Sequence, residues 1–206
     1  MYKKLDEKAL HNVLETGIRE FADKGLDRAN INQIAKAAGV SVGVIYKYYA
    51  NKDAFFLECV RHSLKTLDNV LRETFDGSGT VQETIYRIIR ALQRCGREHG
   101  AYYVMYNEIT SGSCKKYAHA LAEEIEGRTA RIYERMFREA GAEGHPADPG
   151  LAAFLFDNLL MMLQFSYSCD YYRQRMKIFC GEDCFDDDEK LARDITAYIC
   201  RALSLE

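Results

Sequence analysis

Asn30-Ile-Asn-Gln-Ile-Ala-Lys-Ala-Ala-Gly39-Val-Ser41-Val-Gly-Val-Ile-Tyr-Lys-Tyr-Tyr49 is the stretch on which the fold turns. Asn30 is a residue type that caps helices, and Gln33 stands three positions on, as in a capping box. Ile31, Ile34, Ala35 and Ala38 form one apolar stripe at helical spacing, and Gly39 supplies a stop. Ser41 is a second cap, opening a short helix that runs to Tyr48 or Tyr49. Two short helices joined by Gly-Val-Ser read as a helix-turn-helix: the small Ala35 lets the helices approach, Gly39 turns the chain and Val40 plugs the corner. Upstream, Ala9, Leu10, Val13, Leu14, Ile18 and Phe21 make an amphipathic helix that Gly25 should end. Downstream, Asn51-Lys52-Asp53 opens a helix carrying Phe55, Phe56, Leu57, Val60, Leu64 and Leu67.

Helix N-termini present free N–H groups and a positive dipole end, which makes Asn30, Ser41 and Asn51 candidate phosphate positions. The whole string, from Phe21-Ala-Asp-Lys-Gly25 through Ile34-Ala35, Gly39-Val40-Ser41, Val42 to Tyr46, Tyr48-Tyr49 and Lys52 to Phe55, resembles the TetR/AcrR family of transcriptional regulators. That resemblance covers about fifty residues with the family's spacing. It implies that the second short helix enters the major groove with Val42 and Gly43 nearest the base edges, Val42 against a thymine methyl. It further implies that Tyr46 lies along the groove wall, that Lys47, Tyr48 and Lys52 hold phosphates, and that Asn32 reaches a base, where an Asn can read adenine. Two departures bear on this. Ala29 and Val44 stand where the family often has threonine, and residues 30–54 contain no arginine, so a bidentate guanine contact from the reading helix is not expected.

Charge is compatible with a DNA-binding head on an acidic body. The chain carries a formal −3, yet residues 1–54 hold nine Lys and Arg against seven Asp and Glu. Only two prolines occur in 206 residues, which favours long uninterrupted helices. The seven cysteines are odd in number and scattered; Cys180 and Cys184 are close, but no second Cys/His pair stands beside them. No nucleophile elbow, phosphate loop or HExxH helix is present, so no catalytic residue, metal or cofactor is expected. No uncharged apolar run of about 18 residues marks a membrane span, and the first residues lack a secretory pattern, so a cytoplasmic protein is expected.

Beyond the head, Asp76 to Gly79 reads as a loop, Thr80–Glu98 as a helix, Tyr102 to Asn107 as a short aromatic segment and Ser111 to Ser113 as a loop. A helix from about Cys114 to Ala140 follows, then a loop over Gly141 to Gly150. Leu151 to Tyr172 is apolar on every side, so it must be covered on every side, and one face should meet a second subunit. The family resemblance implies that this helix and the last one, Asp187 to Leu203, pair with their symmetry mates as a four-helix bundle. Tyr102, Tyr103, Tyr106, Met162 and Phe165 are large adaptable groups of the kind that line apolar ligand cavities, though each also suits ordinary core. Tyr117 can add a polar contact, and Asn158, interrupting the apolar helix, should bond across a dimer or face a ligand.

The resulting expectation is an all-α protein: a three-helix helix-turn-helix DNA-binding domain at 1–54, then a helical effector-binding and dimerisation domain at 55–206. Its function would be a homodimeric regulator of a double-stranded DNA operator, released by a small, largely apolar or aromatic effector. The alternative is a DNA-bound scaffold of the same fold that recruits proteins without a small ligand.

Overall fold

Several helices begin where a short polar side chain takes an orphan backbone N–H. Asp6 accepts from Ala9 N at 2.8 Å and starts α1, Glu7–Arg28. The others follow as α2 Ile31–Ala38, α3 Val42–Tyr48, α4 Lys52–Thr74, α5 Val81–Glu98, α6 Gly100–Glu108, a 3₁₀ turn Gly112–Tyr117, α7 Ala118–Ala140, α8 Pro149–Ser168, α9 Asp170–Cys180 and α10 Asp188–Ala202. This computed structural model describes residues 5–74, 79–140, 148–203 and 205, and no strand occurs among them. The fold is all-α, as the sequence predicts.

The chain forms two compact units, Met1–Leu67 with Ala101–Ala118, and Asp68–Gly100 with His119–Glu206. The first therefore reaches past position 54, and the reason is packing. Phe55, Phe56, Cys59 and Val60 on α4 are fully excluded from water. The rings of Phe55 and Phe56 stand 5.8 and 5.1 Å from that of Phe21 on α1. Burying such side chains contributes roughly 1.5–3 kcal/mol each, so the start of α4 folds with the head. Gly25 bends α1 rather than ending it: its φ of +71° belongs to glycine, and Leu26 to Arg28 add a last turn beyond the kink.

In the second unit α5, α8 and α10 pack together around Ile85, Ile88, Leu92, Phe156, Leu160 and Ile199, with Tyr133 and Phe137 of α7 completing the core. A polar knot lies inside it. Buried Gln93 donates to the Tyr167 hydroxyl at 3.0 Å and to the Asp188 carbonyl at 2.9 Å, while Tyr167 donates to Asp188 Oδ1 at 2.6 Å. Arg97 closes the knot with paired bonds to the Asp188 carboxylate at 2.9 and 2.8 Å. Burial works against the Asp188 charge, but Arg97 and Tyr167 hold its carboxyl below the usual range.

Some boundaries differ from expectation. The apolar helix ends at Ser168, short of the expected Tyr172, and Asp170 opens a separate helix, α9, none of whose residues is buried. Cys169 takes extended backbone between the two, and the Arg173 guanidinium returns to the Tyr167 carbonyl at 2.7 Å. Ser111 to Ser113 leads into a 3₁₀ turn rather than a plain loop. Pro149 is the first residue of α8, where its missing N–H costs nothing. Most of the loops expected at Asp76 to Gly79 and Gly141 to Gly150 lie outside the described residues. Despite its one carboxylate, Asp157, α8 is long and apolar enough to cross a membrane by length and composition. Ala152, Ala153, Phe156, Leu160 and Leu163 on it are nonetheless buried in the core.

Candidate nucleic-acid interface

The reading helix is held from behind. Ile45 is buried with Ile31, Ile34 and Ala35 of α2, which leaves Ser41, Gly43, Tyr46 and Lys47 exposed and Val42 half-exposed on α3. Gly39 joins the two helices with a φ of +71°, and Val40 N returns to the Ala35 carbonyl at 2.9 Å. A side chain with a Cβ would be strained in that left-handed turn. Asn30 and Asn32 are exposed at the start of α2. Asn30 Oδ1 accepts from Asn32 N at 2.9 Å, so the capping box expected with Gln33 gives way to a shorter turn-type cap. Glu20 on α1 takes the Asn30 N–H at 3.1 Å. Ser41 occupies a cap position but its hydroxyl makes no capping bond, which leaves that oxygen available to a phosphate.

Two of the expected phosphate contacts have intramolecular work as well. The Tyr48 hydroxyl accepts the Leu5 N–H at 2.8 Å, tying the segment before α1 to the end of α3. Lys52 Nζ donates to the Asp27 carbonyl at 2.7 Å and the Ala29 carbonyl at 3.3 Å, fastening the end of α1 to the start of α4. An ammonium has three donors, so one N–H remains. Asn51 caps α4 by accepting Ala54 N at 2.8 Å.

Residues 13–59 match the family described as bacterial regulatory proteins, tetR family. Over 97% of this chain and 98% of the relative, the sequence is 25% identical to the HTH-type transcriptional regulator YhgD of Bacillus subtilis strain 168. The fold matches the fatty acid degradation regulator FadR from Bacillus halodurans with a TM-score of 0.71, at 19% identity over 96% of each chain. FadR from Bacillus subtilis, solved in complex with stearoyl-CoA, matches with a TM-score of 0.71 at 15% identity, over 92% of this chain and 97% of that one. The DNA-binding head is that of the TetR family, and the comparisons support a transcriptional regulator rather than an enzyme.

The TetR head carries a feature that sequence reading missed. Residues 101–118 belong to the same unit and are bonded to it at several points. Glu108 Oε1 accepts Leu26 N at 3.0 Å, beside the Gly25 kink, and Ser111 Oγ at 3.1 Å. Ser113 donates to Asp27 Oδ2 at 2.5 Å. Lys116 and Tyr117 both reach Asp53 Oδ2, Tyr117 at 2.7 Å, and hold that carboxyl below the usual range, Lys116 foremost. No local pattern in the sequence announces these pairs, because the partners lie 63 to 86 residues apart.

The seven ligand candidates divide between the units. Tyr102, Tyr103, Tyr106 and Tyr117 lie in the first, Asn158, Met162 and Phe165 in the second. Tyr102 and Tyr103 are buried on α6 and Tyr106 half-buried. Tyr102 donates its hydroxyl to Glu15, and Tyr117 donates to Asp53. On α8, Phe165 is buried against the Tyr172 ring at 5.2 Å, and Met162 is half-buried. Asn158 donates one amide N–H to the Phe154 carbonyl of its own helix at 2.7 Å.

Proposed function

We propose that this TetR-family protein is a homodimeric repressor that leaves its operator when a small, largely apolar molecule binds. The observation that carries the reading is the exposed face of α2 and α3. Asn30, Asn32, Ser41, Gly43, Tyr46 and Lys47 stand at solvent there while Ile45 anchors the helix behind them. Val42 and Gly43 would meet base edges; Asn32 would read a base; Asn30, Ser41, Tyr46, Lys47, Tyr48 and the remaining Lys52 donor would hold backbone phosphates and the groove wall.

Dimerisation is supported by apolar side chains left at the surface of the second unit. Leu151, Phe154 and Leu155 on α8 and Tyr198 on α10 are 54%, 63%, 53% and 69% exposed. An apolar surface of that kind marks an interaction site, and a two-fold copy is the commonest closed partner. Two heads in such a dimer must sit about 34–36 Å apart to enter successive major grooves. Residues 101–118 supply the coupling: they carry all four of the tyrosines proposed for the effector, and their polar groups grip Leu26, Asp27 and Asp53 on either side of α2 and α3. An effector that displaced this segment would loosen the head. It can lower DNA affinity only by its preference for the loosened state, typically about 1–3 kcal/mol per coupled site.

Acyl-CoA thioesters are the first effector class to test, since the FadR from Bacillus subtilis was solved with stearoyl-CoA. Genomic fragments retained by the protein would define the operator, and operator titrations with acyl-CoAs of increasing chain length would follow. Release at an optimum chain length supports the reading; binding that no apolar compound alters favours a scaffold that recruits proteins instead.

A further inference from the structure

His11 and Glu15 are four residues apart on α1, so their side chains leave the same face of the helix one turn apart. His62, near the middle of α4, meets them there. Its Nε2 lies 3.1 Å from Glu15 Oε1, and its ring stands edge-on to that of His11 with centroids 5.0 Å apart. One ligand atom from each of the three residues falls within 4.8 Å of the other two. Glu15 and His62 are half-buried and His11 is exposed, so the cluster has a protein wall and an open side. All three belong to the first unit.

We propose that His11, Glu15 and His62 bind a divalent transition-metal ion of the zinc class. Two imidazoles and one carboxylate suit zinc, cobalt or nickel, and are a poor donor set for calcium or magnesium, which take oxygen ligands. With metal–ligand bonds of about 2.0–2.1 Å, a tetrahedral site sets its ligand atoms roughly 3.3 Å apart. The Glu15–His62 pair already has that separation, and His11, being exposed, can turn inward. A water would complete four ligands on the open side.

A second shell is in place. Tyr102 of α6 donates its hydroxyl to the same Glu15 oxygen, which orients the carboxylate. Arg19, the nearby cation, is turned to Thr16 Oγ1 at 3.4 Å. Cys59, buried on α4, directs its thiol to the Leu14 carbonyl at 3.7 Å. A bound ion would cross-link α1 to α4 inside the head.

The test is a cobalt(II) titration of the full-length, chelator-stripped protein carrying Cys180→Ser and Cys184→Ser, which removes the one close thiol pair. The expected result is one ion per chain, with the visible absorption of four-coordinate cobalt, no thiolate charge-transfer band, and displacement by zinc. His11→Gln and His62→Gln should each abolish stoichiometric binding. Tyr102→Phe should keep the spectrum and lower affinity by about 10–100-fold. Circular dichroism checks the fold of each variant, and His11, being exposed, gives a variant whose fold is not at risk. Stoichiometric cobalt binding that survives His11→Gln, a thiolate band, or no binding by the parent protein would overturn the assignment and leave a metal-free His62–Glu15 hydrogen bond.

Discussion

Replacing Glu108 should loosen the head without touching a DNA-facing residue. Glu108 Oε1 is the acceptor for Leu26 N at 3.0 Å, and Leu26 is only 2% exposed, so water cannot easily take over that N–H. In Glu108→Ala a buried donor is stranded and the Ser111 bond goes with it, which costs about 2 kcal/mol. Glu108→Gln keeps an oxygen in the same place and loses only the charge on the acceptor, costing about 1 kcal/mol or less. For a chain of this size the alanine variant should melt about 4–8 °C lower, and the glutamine variant about half as far. Leu26 lies four residues before the α2 cap, so strain released there reaches the docking of the helix-turn-helix. Operator affinity should fall about fivefold in Glu108→Ala, and the response to effector should weaken with it. Thermal melts followed by circular dichroism, and anisotropy titrations on the selected operator with and without acyl-CoA, measure both. If the two variants melt alike, or if Glu108→Ala binds operator and responds to effector as the parent does, residues 101–118 do not couple to the head.

Lys52→Met retains the aliphatic stem and removes the ammonium. It should lower affinity for all DNA sequences and reduce the salt slope by about one, while its lost carbonyl bonds cost about 1 kcal/mol of stability; an unchanged slope across a salt series would assign Lys52 to the protein alone. Burial, aided by Glu126, pushes Asp157 on α8 up to about 6. A carboxyl raised above its unfolded value near 3.8 is penalised above its folded pKa and relieved as pH falls between the two values. Asp157→Asn should therefore stabilise the protein at pH 7–8 by about 1–2 kcal/mol, after discounting for solvent, and flatten the stability–pH profile between about 4 and 6; denaturant melts at stepped pH provide the check. Gly96→Ala would set a methyl 2.6 Å from Tyr167 Cβ, about 1 Å inside carbon–carbon contact, with no flexible end to yield. Forcing α5 from α8 and disturbing the Tyr167–Asp188 knot should cost about 2 kcal/mol, measured by urea denaturation.

Local chemistry made the head legible in the sequence. The Ile31, Ile34 and Ala35 stripe, the Gly39 turn and the Ser41 to Tyr48 helix are set by spacing and backbone preference within twenty residues, and the structure follows them. The helix expected from about Thr80 to Glu98 likewise forms, as α5, and a capping box between Thr80 and Glu83 closes its start. What sequence left open is decided by partners far apart in the chain. The apolar run after Leu151 has no internal signal for the break at Cys169, because every residue on both sides can be helical. Asn158 looked like a buried amide in need of a partner, and only the helix itself showed that the Phe154 carbonyl supplies one. Glu108, Ser113 and Lys116 sit in a segment whose pattern says nothing about the head, yet their charges and hydroxyls close on Leu26, Asp27 and Asp53. His11 and Glu15 are an unremarkable pair on one helix face until α4 brings His62 to them across 47 residues. Periodicity and capping fix which segments become helices because those energies are local; side-chain pairings between helices depend on the packed core, and only the tertiary structure decides them.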